Sequence, residues 1–145
     1  MIFSNTILNI DDVHDINLTK NITFQGNGNA RDITIDGEKK GTIFHVESPT
    51  VYSRFNNITF INGLTDSFGG AISMVTGNVF VDSCNFINNT ALGDTNAGAI
   101  ANFGTLENKG YLFVNNSFFM NNHADKMVGQ FQPLMQTQTS IILFL

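Results

Sequence analysis

The sequence predicts an all-β chain folded as a parallel β-helix, or β-solenoid, of about four to five coils. Two motifs recur along the chain, one of glycine and alanine before isoleucine and one of phenylalanine before asparagine. The first motif stands at residues 69–72 and 97–100. The second stands at residues 60–62, 86–88 and 119–121. A repeat of roughly 26–33 residues that consists of strands rather than helices is typical of a solenoid with one coil per repeat.

An early coil is predicted between residues 32 and 46. Residues 33–35 and 42–46 are rich in isoleucine, threonine and phenylalanine, as strands are. Asp36 and Gly37 form a turn between them, and residues 39–41 form a loop.

Strict alternation over residues 79–82 and 112–115 predicts two strands of neighbouring coils. One face of these strands carries Val79, Val81, Leu112 and Val114, which we expect to point inward. Phe80 and Phe113 take the opposite face. The inward positions then step by three residues, from Ser83 to Phe86 and from Asn116 to Phe119, which indicates a corner between two faces of a coil.

We align the coils on one column of phenylalanines, namely Phe24, Phe60, Phe86 and Phe119. Two residues later stands a column of asparagines, Asn62, Asn88 and Asn121, which we expect to form a ladder of stacked side-chain amides. In the glycine motifs, Gly70 and Gly98 allow a tight turn. The alanines fit a crowded corner, and Ile72 and Ile100 enter the core.

The predicted domain organisation is β-helix coils over residues 1–125 and an irregular tail over residues 126–145. Residues 128–131 stand where a third glycine motif is due, and only their glycine matches. About four to five coils make a short solenoid whose ends are bare unless they are capped, because coils are only about 4.8 Å apart. We therefore expect the chain to be a fragment of a longer protein and to associate end to end through uncapped coils.

Composition limits the classes of partner. Charged residues are 13% of the chain, the net charge is -5 and the isoelectric point is near 4.8. Nucleic-acid binding needs a basic face, so the net charge and the isoelectric point argue against this class of partner. No apolar run approaches the roughly 20 residues that span a bilayer, and the N-terminus lacks the basic segment of a signal peptide.

The candidate binding residues are Phe80 and Phe113, which should lie side by side on the outside of adjacent coils. Two exposed aromatic rings are suited to stacking on a sugar or on a partner protein. The alternative is that a loop at residues 106–110 folds back and covers them.

Two outward columns hold the positions where catalytic groups would lie. One column holds Lys20, Asn56, Asp82 and Asn115, and another holds Leu18, Arg54, Phe80 and Phe113. Neither column contains the pair of carboxylates that glycoside hydrolysis needs. Arg54 and Asp82 lie diagonally, as a surface ion pair would.

The other reactive residue types point to structural roles. Cys84 is the only cysteine and is expected to fill space in the wall. Asp11, Asp12 and Asp15 are expected to form a solvated end loop, and the three histidines are isolated in the sequence. We predict no catalytic residue, no metal site and no cofactor.

The motifs at residues 60–62, 69–72, 86–89, 97–100 and 119–122 resemble those of the polymorphic membrane protein repeat family. This family includes adhesin-like surface proteins of methanogenic archaea and other microbes. The resemblance covers roughly residues 16–125. It implies a right-handed parallel β-helix, export to the cell surface and a role in adhesion, and it supplies neither a ligand nor a catalytic residue.

The expected function is therefore that of an adhesin-like cell-surface repeat protein, non-enzymatic, in which the β-helix presents a surface for adhesion or acts as a stalk. Its expected partners are surface glycans or proteins of host or neighbouring cells. Anchoring to an outer membrane or cell wall would come through a longer parent protein. The alternative is a fragment of a carbohydrate-active β-helix enzyme, a polysaccharide lyase or a glycoside hydrolase, since the same fold carries both.

Overall fold

The computed structural model describes residues 14–92, 97–103 and 109–125, together with the backbone of three short strands at residues 2–3, 6–8 and 143–144. Within that part the chain is all-β. It holds eighteen strands and a single 3-10 turn, Ala30–Asp32. The predicted all-β class is confirmed.

The strands form five consecutive units along the chain. The first unit comprises β1 (Ile2–Phe3), β2 (Thr6–Leu8) and β3 (Ile16–Asn17). The second comprises β4 (Ile22–Gly26), β5 (Ile33–Asp36) and β6 (Phe44–Val46). The third comprises β7 (Tyr52–Asn56), β8 (Thr59–Ile61), β9 (Leu64–Thr65) and β10 (Ile72–Met74). The fourth comprises β11 (Gly77–Asp82), β12 (Asn85–Ile87), β13 (Thr90–Ala91) and β14 (Ile100–Asn102). The fifth comprises β15 (Gly110–Asn115), β16 (Phe118–Met120), β17 (His123–Ala124) and β18 (Leu143–Phe144).

Corresponding strands of successive units pair with one another and build four parallel sheets. Sheet A contains the first strand of each unit, sheet B the second and sheet C the last. Sheet D contains β9, β13 and β17. Each strand pairs with the strands one unit before and one unit after, so that Phe60 pairs with Phe86 and Phe86 with Phe119. This arrangement of parallel sheets is compatible with a β-helix.

Stacked aromatic rings form part of the interior. The rings of Phe60, Phe86 and Phe119 stack with centroids 4.9 Å apart at each step, and all three side chains are buried. Pairing of identical inward residues at one level after another buries a continuous column of apolar surface, which favours the stacking of the units.

The alignment of the first phenylalanine was wrong. Phe24 lies in sheet A, where it pairs with Phe55, and their rings stack at 5.0 Å. The column of Phe60 is continued instead by Ile35, which is buried at the same level of sheet B. The inward column of sheet A that holds Phe24 and Phe55 continues with Val81 and Val114, so the second unit carries its phenylalanine in sheet A and not in sheet B.

The corners between sheets A and B are made by residues with left-handed backbone angles. Asn57, Ser83 and Asn116 have φ values of 55°, 53° and 47°. The expectation that Ser83 points inward was wrong. Ser83 is half-buried at the corner, and the inward step of three runs from Val81 to Cys84, both buried.

A ladder of buried amides exists, one residue beyond the column predicted for it. Asn62, Asn88 and Asn121 have φ values of 55°, 57° and 53° and form the next left-handed corner. The buried amides are Asn89 and Asn122: Asn89 Nδ2 donates to Asn122 Oδ1 at 3.0 Å, and the backbone N–H of Asn89 donates to the same oxygen at 3.0 Å. A left-handed residue cannot direct its side chain to the interior here, so the residue after it does.

The glycine motifs pair as predicted. Ile72 pairs with Ile100 in sheet C and both are buried, while the Gly70 N–H donates to the Gly98 carbonyl at 2.8 Å. A Cβ atom on Gly98 would lie 2.5 Å from the backbone nitrogen of His123, so the chain approaches too closely there for any side chain.

Only residues 143–144 of the tail beyond residue 125 are described, and they form β18, which pairs in parallel with β14 through Ala101 and Leu143. The imperfect third glycine motif at residues 128–131 lies outside the described residues. The described part of the tail therefore occupies the place in sheet C that belongs to the fifth unit.

Candidate functional site

The outer face of sheet A carries the predicted candidates in one column. Arg54 pairs with Phe80 and Phe80 pairs with Phe113, at the same position of three neighbouring strands. We call Arg54, Phe80 and Phe113 the aromatic column. Its side chains point outward because Ser53, Phe55, Val79 and Val81 beside them are buried. The structure thus places Phe80 and Phe113 side by side, as expected.

The side chains of the aromatic column stack on one another. Phe80 and Phe113 are stacked with their centroids 4.9 Å apart and their planes 4° apart. On the opposite side of Phe80, the guanidinium carbon of Arg54 lies 4.4 Å from the ring centroid. Both faces of Phe80 are therefore covered, and its outer edge is what a ligand would meet.

Phe113 is the most accessible ring of the column. Its side chain is 54% exposed, whereas Phe80 is half-buried. One face of Phe113 lies against Phe80, and the other lies towards the outer edge of β15. Residues 104–108, in the loop that was considered as a cover, lie outside the described residues.

A second outward column runs beside the first and is polar. It consists of Gln25, Asn56, Asp82 and Asn115, which pair in that order. We call these four residues the polar column. Asn56 Nδ2 donates to Gln25 Oε1 at 2.9 Å, and Asp82 Oδ1 accepts a hydrogen bond of 3.2 Å from Asn116 Nδ2. The amides and the carboxylate of the polar column can form hydrogen bonds with hydroxyl or amide groups of a ligand that lies along the aromatic column.

The residues at the start of both columns, in the second unit, were misassigned. Lys20 and Leu18 were placed at their start, whereas the structure has Gln25 and Thr23 there. This error follows from the misplacement of Phe24. The expected ion pair between Arg54 and Asp82 is absent from the described contacts, because the guanidinium group of Arg54 lies over Phe80 instead.

Cys84 lies in the wall between sheets A and B and is fully buried. Its thiol donates to the carbonyl oxygens of Phe55 and Asp82, each at 3.3 Å. Burial raises the pKa of the thiol to about 12, so the nucleophilic thiolate is scarce at neutral pH. The side chain fills space, in agreement with the role expected for it.

Two histidines that are far apart in the sequence meet at Asp15, a contact that sequence reasoning missed. Asp15 Oδ1 lies 3.0 Å from His45 Nε2, and Asp15 Oδ2 lies 3.1 Å from His14 Nδ1. Burial raises the pKa of Asp15, but the hydrogen bonds and charges of His45 and His14 outweigh it, and the pKa is lowered. The sequence carried a signal for this contact, because Asp15 and His45 are 30 residues apart, which is the length of one repeat.

The described residues bring together no group of three or more histidine, cysteine, aspartate or glutamate side chains suited to a metal ion. In the same part of the chain, no helix is long and apolar enough to cross a membrane. Asp11 and Asp12, which the sequence groups with Asp15, lie outside the described residues. The aromatic and polar columns together are thus the best candidate site that the described residues form.

Comparison with known proteins adds no name to this site. No family model matches the chain, and no curated protein and no solved structure matches it either.

Proposed function

We propose that the chain is a right-handed parallel β-helix of an adhesin-like, non-enzymatic surface protein, and that it binds its partner along the aromatic column. The β-helix is supported by the strand order, because every unit contributes one strand in turn to sheets A, B and C. Parallel connections of this kind are right-handed in nearly all known cases. Left-handed asparagine and serine residues at the same positions of successive units support regular corners between the faces.

The observation that carries the binding proposal is the position of the aromatic column. Three large side chains lie on an outer sheet face, with an exposed aromatic ring at one end and a row of hydrogen-bonding side chains alongside. A sugar ring presents an apolar face to an aromatic ring and hydroxyl groups to neighbouring polar side chains. A surface glycan fits both columns, and we propose it as the partner.

The ring geometry predicts an unequal division of the binding energy. Phe80 is covered on both faces, so stacking by a ligand ring is possible only on the outer face of Phe113. Phe80 then supports Phe113 and contributes its edge. Truncation of Phe113 should therefore weaken binding more than truncation of Phe80.

The experiment is a glycan-array and cell-surface binding assay on the purified chain. The variants are Phe80→Ser, Phe113→Ser and the double variant, and the matched control is Tyr52→Ser, which removes an equally exposed aromatic ring from the same sheet. Far-UV circular dichroism confirms that each variant is folded. We expect binding to fall in the order wild type, Phe80→Ser, Phe113→Ser, and to survive in the control.

A stalk or spacer is the second candidate function, favoured by one specific observation. Phe80, the middle of the aromatic column, is covered by contacts within the column, because Arg54 and Phe113 lie against its two faces. Ladders of this kind stabilise the stacking of units without any ligand. Failure of the wild-type chain to bind any glycan or cell surface would contradict the binding proposal and leave the stalk.

A further inference from the structure

We propose that Asn27 is a modification site, at which the side-chain amide is lost spontaneously and an aspartate or isoaspartate residue takes its place. The fold leaves this asparagine open to the reaction and protects Asn62, which has the same successor in the sequence. The site is independent of the glycan proposal, because Asn27 lies in the corner between sheets A and B of the second unit and not on the outer face of sheet A.

The reaction joins the side chain of an asparagine to the backbone of the next residue. The backbone nitrogen of that residue attacks the side-chain carbonyl carbon Cγ, and a cyclic succinimide forms. The amide nitrogen leaves as ammonia and takes up the proton of the attacking N–H. Water then opens the ring at either carbonyl, which restores the backbone N–H and leaves a carboxylate. Glycine in the second position favours the first step, because no Cβ atom hinders the approach.

Two asparagines in the chain are followed by glycine. They form the pairs Asn27 with Gly28 and Asn62 with Gly63. Both pairs contain the same reacting groups, so each serves as a reference for the other. A difference in rate that is present in the folded chain and disappears on unfolding must come from the fold.

The first pair is accessible and unrestrained. Asn27 and Gly28 are both exposed, and within the described part of the chain neither residue forms a hydrogen bond. The bonds that close this corner begin at the next residue. The Asn29 N–H donates to Asp32 Oδ2 at 3.2 Å, and the Asp32 N–H donates to the Asn29 carbonyl at 3.0 Å. No hydrogen bond therefore has to break before the Gly28 nitrogen reaches Cγ of Asn27.

The shape of the corner explains why glycine follows Asn27. The φ value of Gly28 is 126°, a backbone conformation that residues with a side chain rarely adopt. Glycine is thus the residue that suits this position of the corner, and it is also the residue that promotes the attack. The second unit therefore carries the reactive pair for a structural reason.

The fold restrains the second pair through both of its reacting groups. Gly63 is buried, and its N–H donates to Asn89 Oδ1 at 2.9 Å. Asn62 Nδ2 donates to Asp36 Oδ1 at 3.0 Å. The Gly63 nitrogen must leave Asn89 and the Asn62 side chain must leave Asp36 before a ring can form. The reaction at Asn62 therefore requires local opening of the corner, which costs free energy.

The experiment follows the loss of amide in the purified full chain, incubated at a mildly acidic and at a mildly alkaline pH. Peptide mapping by mass spectrometry measures the reaction at each asparagine. Isoelectric focusing detects the negative charge that each event adds to the net charge of -5. The variant is Asn27→Gln, whose longer side chain would have to close a larger ring. The matched control is Asn17→Gln, at another exposed asparagine that leucine follows, and far-UV circular dichroism confirms the fold of each.

In the folded chain, we expect Asn27 to lose its amide at least about tenfold faster than Asn62, since only Asn62 has to react through an open state. The rate at Asn27 should rise with pH, because the attacking nitrogen must give up its proton. The more acidic form should accumulate in Asn17→Gln as in the wild type and should be missing from Asn27→Gln. In concentrated guanidinium chloride, the difference between Asn27 and Asn62 should largely disappear.

Equal rates at Asn27 and Asn62 in the folded chain would overturn the proposal. The same holds for an acidic form that accumulates unchanged in Asn27→Gln, since another residue would then be its source. A rate ratio that persists in guanidinium chloride would contradict the protection assigned to the contacts of Gly63, because the local sequence would then set the ratio.

Discussion

Replacement of the buried Asn89 by alanine tests whether the amide ladder stabilises the stacking of the units. The Asn89 side chain makes three hydrogen bonds in the interior. Its Oδ1 accepts the Gly63 N–H at 2.9 Å, and its Nδ2 donates to the Phe60 carbonyl at 3.1 Å and to Asn122 Oδ1 at 3.0 Å. The side chain thereby joins three successive units.

The expected loss of stability is the sum of these contributions. Leaving the Gly63 N–H buried without an acceptor costs about 1–3 kcal/mol. Loss of the two hydrogen bonds from Nδ2 costs about 0.5–1.5 kcal/mol each. We expect Asn89→Ala to reduce the free energy of unfolding by about 4 kcal/mol, a large fraction of the 5–15 kcal/mol or so that is typical of a domain.

The assay is urea denaturation followed by far-UV circular dichroism. The matched control is Asn88→Gly, at the adjacent exposed corner where φ is 57°. Glycine adopts this angle freely, so the control should change the free energy of unfolding by less than about 1 kcal/mol. Equal midpoints and slopes for the two variants would refute the role assigned to the ladder.

Two further predictions concern close packing and pH. Gly63→Ala should destabilise the chain by at least about 3 kcal/mol in the same assay, because the new Cβ would lie 1.9 Å from the Gly70 carbonyl oxygen. Gly41→Ala should cost less, since the atom nearest to its Cβ is a carboxylate oxygen of the Asp15 side chain, at 2.6 Å, and an effect as large as that of Gly63→Ala would contradict the argument. The pKa of Asp15 is lowered in the fold, so its contribution to stability is present above the usual pKa and is lost as the pH falls through the lowered value. Asp15→Asn should therefore be less sensitive than the wild type to a change from pH 5 to pH 3 in urea midpoints, and an identical pH dependence would rule out this role.

The sequence alone was sufficient for the class of fold and for the pairing of the regular units. Phe60, Phe86 and Phe119 were aligned correctly because the strand and corner before each phenylalanine have the same length in these units. Gln25 pairs with Asn56, and Thr34 pairs with Thr59. These two positions lie nine residues apart along the chain in the second unit and only three apart in the third. That longer corner hid the correct alignment of Phe24.

The details of the corners could not be predicted, for a physical reason. Asn88 and Asn89 are adjacent and identical, and asparagine suits both a left-handed corner and a buried amide ladder. Only the backbone angles decide which residue takes which role, and a shift of one residue exchanges inside and outside. The candidate site was more predictable, since the alternation around Phe80 and Phe113 is unambiguous. The contact between Arg54 and Phe80 was missed because the sequence indicated an ion pair between Arg54 and the nearby Asp82.

The direction of the backbone hydrogen bonds between units has a mechanical consequence. These bonds run along the stacking direction, so a tensile force applied along it loads the outermost strands first. The chain then yields one unit after another. Units of about 26–33 residues release about 90–110 Å of extended chain each at roughly 3.4 Å per residue. A protein that extends in such steps lengthens as its units open and shortens again as they re-form.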